Sequence, residues 1–153
     1  KDERKREMVE RIDTRLNTLN EKMLNHFSNV LDKLEDVLER IASRIDKAEQ
    51  RGLNVLSVRT ALSDALKSIE TARLAIRTQT GMTYAIKISD EKNVRADVSK
   101  GREALHKDLA RVREAVKAAH EAVRRAAVAL AQIPRVDEVD NTPSTTSGTP
   151  SNQ

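Results

Sequence analysis

The stretch Thr80–Asp90, "TGMTYAIKISD", decides how this chain folds. It holds the single tyrosine, Tyr84, and alternates apolar and polar residues as a strand does, while the sequence on both sides carries the three-to-four residue spacing of long helices. A break of this kind between helices needs a reason, and the lengths of the neighbouring segments supply one.

On the N-terminal side, apolar residues recur every eleven positions: Met8, Leu19, Val30 and Ile41; Ile12, Met23, Leu34 and Ile45; Leu16, Phe27 and Leu38. Eleven residues make close to three turns, so the spacing predicts one nearly straight helix with its seam along these rows. Gly52 ends it. Asn54 is placed to cap a second helix, with Leu53 able to pack on Val58. The second seam reads Val55, Val58, Leu62, Leu66, Ile69, Ala72 and Ile76 and fades at "RTQTG". At 1.5 Å per residue this helix rises roughly 39 Å against roughly 70 Å for the first.

Beyond the break, Ser89 or Asp90 can cap a third helix that stops before Pro134. It opens with Val94, Val98, Leu105 and Leu109 and becomes heptad through Val112, Val116, Ala119, Val123, Ala126, Leu130 and Ile133. The short second helix leaves a gap of roughly 30 Å, which ten extended residues at about 3.3 Å each cover. Thr80–Ser89 thus completes the return journey, with Tyr84, Ile86 and Ile88 facing the outer helices. The first and third helices then run parallel, with Val94, Leu105, Val116 and Ala127 level with Met8, Leu19, Val30 and Ile41.

The expected fold is all-α: an elongated antiparallel three-helix rod, long, short and long, with helices over about 2–51, 54–79 and 90–133 and an extended leg over 80–89. Residues 1–134 form the one domain. Residues 135–153, first acidic and then rich in Ser, Thr and Pro, form a tail or linker that has little to bury. The core and assembly seam is expected at Leu19, Phe27, Val30, Leu34, Ile41, Leu66, Ile69, Tyr84, Ile86, Leu105, Leu109, Val116 and Val123.

Charged residues make up 34% of the chain and aromatics 1%, which favours narrow aliphatic seams over a thick core. The net charge is +4, yet residues 1–51 carry 12 basic and 12 acidic side chains, a mixture that reads as an ion-paired helix surface. Arg111, Arg113, Lys117, Arg124 and Arg125 thicken the positive field on the third helix, but Glu114 and Glu121 interrupt them and no stacking aromatics accompany them. Nucleic acid is therefore not the expected partner.

There is no cysteine, so disulfide and thiolate-metal chemistry are excluded. "AAVALA" is too short to span a bilayer. The chain begins "KDERKREMVER", as a processed or cut product would. His26, His106 and His120 are scattered, and Glu103–His106 gives one copy of a spacing that di-iron bundles need twice. No phosphate loop or nucleophile elbow is present. The expectation is no catalytic, cofactor or metal site, and no small-molecule substrate.

The runs "HFSNVLDKLEDVLERIASRIDKAEQRGLNVLSVRTAL" and "REALHKDLARVREAVKAAHEAVRRAAVAL" resemble a type of helical protein predicted in genomes of uncultivated small-genome bacteria. The resemblance covers most of residues 10–133 and implies export, an extracytoplasmic setting and no assigned activity. A non-enzymatic rod that self-associates or packs laterally is the expected function, with copies of itself as partner. A holdase-type chaperone of the cell envelope is the alternative.

Overall fold

A computed structural model describes residues 2–134 and Val136. The remainder of the expected 135–153 tail, with Lys1, lies outside the described residues. Among those described, three helices account for the fold: α1 (Asp2–Gln50), α2 (Leu56–Thr80) and α3 (Val94–Ala131), the last led in by a single 3-10 turn at Glu91–Asn93. All three pack on one another. At 1.5 Å per residue, α1 is about 73 Å long, α2 about 37 Å and α3 about 57 Å.

Gly52, at φ 78°, turns the chain at the end of α1: its N–H donates to the Glu49 carbonyl and that of Leu53 to the Ala48 carbonyl. This is the Schellman arrangement, which favours glycine because a Cβ there is strained. The Asn54 side chain accepts from the Leu56 N–H at 3.1 Å, so it closes the start of α2 although the helix itself begins two residues later. Neither Ser89 nor Asp90 caps α3 through its side chain. Instead the Asp97 carboxylate reaches back to accept from both the N–H and the hydroxyl of Ser89, each at 2.9 Å.

Helix α2 runs antiparallel to α1, as its pairs show: Arg59 with Asp46 and Glu49, Arg73 with Asp32 and Glu35, Gln79 with Asn20. Helix α3 runs parallel to α1. Lys5 meets Glu91 at one end and Arg51 meets the Val136 carbonyl at the other, partners that differ by 86 and 85 in number. An α3 residue therefore sits level with the α1 residue about 85 positions earlier.

The buried seam of α1 corrects the eleven-residue reading. From Leu24 onward it is heptad, with Leu24, Leu31, Leu38 and Ile45 alternating with Phe27, Leu34, Ile41 and Ala48. The row expected in the core instead drifts into it. Met8 is 45% exposed and Leu19 39%, Val30 is half-buried, and Ile41 is only 5% exposed. Eleven residues advance a row by about 20° beyond three full turns, whereas a seam shared with two partner helices follows the seven-residue period. Leu66, also expected in the seam, is 52% exposed at the edge of α2. Phe27, Leu34, Ile41, Ile69, Leu105, Leu109, Val116 and Val123 are buried.

The leg between the helices is Met82–Asp90, non-helical throughout, with Tyr84 and Ile86 buried and Ala85 and Lys87 exposed. Ile88 departs from its expected place, at 38% exposed on the rim of an apolar recess with Val9 and Val94. At that end, among the described residues, only α1, the leg and α3 remain to cover it. Gly101 of α3 permits the close approach of the leg, since a Cβ there would meet Ile86 Cγ1 at 3.1 Å and Leu16 Cδ1 at 3.7 Å.

The heptad seam makes a contrast between two leucines testable. Leu31→Ala, at a fully buried position, should cost about 2–5 kcal/mol. Leu19→Ala should cost less than about 1 kcal/mol. Urea unfolding followed by circular dichroism checks both.

Candidate functional site

Two arrangements carry the chemistry of this rod: a buried polar chain where α2 stops, and a partition of charge around α1.

The polar chain starts at Gln79, in the last turn of α2. Its Nε2 donates to Asn20 Oδ1 at 2.9 Å and to the Tyr84 hydroxyl at 2.6 Å. That hydroxyl in turn donates to Asp108 Oδ2 at 2.6 Å, and Arg111 donates to Asp108 Oδ1 at 2.6 Å. Burial, then the hydrogen bond to Asp108, pushes the Tyr84 phenol above its ordinary pKa. One chain of hydrogen bonds thereby ties α1, α2, the leg and α3 together.

Next to it, α1 serves the leg as a neighbouring strand would. The Asn17 amide exchanges two hydrogen bonds with the Tyr84 backbone, at 2.9 and 3.0 Å, and Asp13 Oδ1 accepts from the Ile86 N–H at 2.8 Å. Four helical residues rise about 6.0 Å and two extended residues about 6.6 Å, so side chains four apart on a helix meet alternate backbone groups of an extended chain. Among the described residues no buried side-chain polar atom lacks a partner.

The partition of charge follows from the same helical geometry. With 100° per residue, Glu10, Glu21, Asp32, Glu35, Glu39 and Asp46 fall within about 60° of arc on α1. Arg11, Arg15, Lys22, Lys33, Arg40 and Arg44 fall within another arc of about 60°, centred about 120° further round. The buried seam occupies the remaining third. Asp32, Glu35 and Asp46 identify the acidic edge as the α2 side, because Arg73 and Arg59 bind them there.

The basic edge lies on the α3 side, where α3 presents Arg95, Arg102, Arg113, Lys117 and Arg124 along its own α1-facing edge, again within about 60°. His26, His106 and His120 belong to this same face, spread along its length. Both edges keep the eleven-residue step, as in Arg11, Lys22, Lys33 and Arg44 or Arg102, Arg113 and Arg124. Given the level relation, each arginine of that α3 row falls midway between two cations of the α1 row, giving one cation roughly every 8 Å.

The repeating doublets Glu10-Arg11, Glu21-Lys22 and Asp32-Lys33 are the sequence signal for this partition. Read along the chain they look mixed. Wound into a helix they separate, because consecutive residues point 100° apart. The eleven-residue period therefore organises the charges of α1 more faithfully than its core. Among the described residues, no group of three His, Cys, Asp or Glu side chains is placed to hold a metal ion, and no helix is long and apolar enough to cross a membrane. No family model, no curated protein and no solved structure matches the chain.

Two titrations probe the polar chain and the leg. With its folded pKa raised, Tyr84 contributes stability that is full below the ordinary value near 10 and is lost as pH rises through the folded value. Its phenolate absorbance should appear only above that ordinary value, and Tyr84→Phe should cost about 1–3 kcal/mol. Asp97 behaves oppositely. The bonds from the Ser89 N–H and hydroxyl lower its pKa, so its contribution is present above the ordinary carboxylate range and disappears as pH falls through the lower folded value. Hydrogen exchange should show the Ser89 amide losing protection in acid, and Asp97→Ala should remove that protection at neutral pH.

Proposed function

We propose that this protein is a non-enzymatic rod that packs side by side with copies of itself. The observation that supports this is the partition of α1 into an acidic edge and a basic edge that share one eleven-residue step. A row of like charges repels itself, and the cation rows of α1 and α3 add to one another rather than cancel. The acidic edge of a second copy offers the matching sign at the matching pitch of about 16.5 Å. Because each acid of the doublets is adjacent in sequence to its base, two rods align these rows with an axial shift of only about 1.5 Å.

Such packing is heterologous. The face that accepts differs from the face that donates, so the contact leads to rows or sheets of rods unless a rotation closes them into a ring. The resemblance to exported helical proteins and the Ser, Thr and Pro composition after Asn141 support an extracytoplasmic setting for the assembly.

Charge pairing between exposed edges must respond to salt, since the screening length falls from about 30 Å at 0.01 M to about 3 Å at 1 M. Sedimentation velocity at low salt should show species larger than the monomer that dissociate as salt is added. Lys22→Glu combined with Lys33→Glu should remain helical and monomeric at low salt. A wild-type chain that stays monomeric at low salt and high protein concentration would overturn the proposal.

A further inference from the structure

The contact between α1 and α2 is a ladder with a missing rung. Arg73 bridges Asp32 and Glu35, and Arg59 bridges Asp46 and Glu49; each set is displaced from the other by fourteen residues on both helices. The seven-residue step midway between them falls on Leu66 of α2, facing Glu39 and Ala42 of α1. Here no arginine bridges the helices, and Glu39 has no ion pair among the described residues. Leu66 stands exposed beside a shallow notch of about 310 Å³ floored by Leu38 and Leu62.

We infer that this notch receives Arg124 and Val128 of a second copy, an inference that rests on the side-by-side packing proposed above. Three observations select this occupant. Arg124 lies on the basic edge of α3, level with α1 residue 38 or 39, so a neighbour packed without appreciable axial shift brings it opposite Glu39. Among the described residues Arg124 has only a long contact to Glu121, at 3.9 Å with both side chains exposed, which leaves the guanidinium available. Val128, one turn beyond, is 48% exposed and falls at the height of Leu66, so an apolar contact accompanies the ionic one. The second copy thus supplies the cation that the ladder lacks, with the guanidinium on the Glu39 carboxylate and the valine against Leu66.

The test uses the full chain at low salt. Leu66→Arg places the absent rung within the chain, where it can bind Glu39 as Arg59 and Arg73 bind their partners. It should leave the thermal midpoint no lower than wild type while weakening self-association at least about tenfold by sedimentation velocity. Arg124→Glu should weaken association similarly, and combining it with Glu39→Arg should restore it. Wild-type assembly with unchanged association in Leu66→Arg and in Arg124→Glu would overturn the notch and leave side-by-side packing standing. Absence of wild-type assembly would overturn both. If Leu66→Arg lost helicity, the Glu39 and Arg124 charge exchange would decide alone, and failure of the double variant to recover association would overturn the inference.

Discussion

The hydrogen bonds of Gln79 to Asn20 and Tyr84 hold the structure together at the place where α2 stops well short of the rod's end. A helix pair that loses its third partner exposes its seam, and a chain leaving a helix exposes backbone groups that need hydrogen bonds. The polar chain from Asn20 to Arg111 answers the first problem by fixing where the leg crosses between the helices. Asn17 and Asp13 answer the second by presenting side-chain oxygen and amide groups to the leg as a strand edge would. Because these groups are directional, they set the register of the leg in a way that apolar contacts by themselves do not.

Below that point the seam changes character. Toward the C-terminal end of α1, aliphatic residues keep the seven-residue period against α2 and α3, and small residues such as Ala65, Ala72, Ala119 and Ala126 let the helices approach. Toward the N-terminal end the spacing of Leu16, Asn20 and Leu24 is four residues each time, and a polar side chain occupies a buried position. The rod is therefore a three-helix bundle over one part of its length and a helix pair completed by an extended leg over the rest.

The division of α1 into seam, acidic edge and basic edge links this architecture to the proposed assembly. A bundle of three helices leaves each helix two solvent-facing flanks, and here the flanks carry opposite signs. The acidic flank is partly neutralised by Arg59 and Arg73 within the chain, while the basic flank is reinforced by α3. The net charge of +4 conceals this, since it sums two faces that point in different directions.

Sequence by itself determined the helices, their order and the need for an extended return, because apolar period and chain length follow from local geometry alone. Gly52 and the alternation at Tyr84 and Ile86 were legible for the same reason. What only the tertiary structure decided was which apolar rows are buried. Leu19 and Leu66 carry side chains as apolar as those of the core, and their exposure depends on where the partner helices lie, which no single helix specifies. The polar chain was illegible because Asn20 and Asp108 lie far in sequence from the neighbouring Gln79 and Tyr84, and all four become partners only when three helices and the leg converge. The charged edges lay between these cases: the doublets of α1 were visible as letters, but their reinforcement by α3 required the parallel packing of two helices joined by some forty intervening residues.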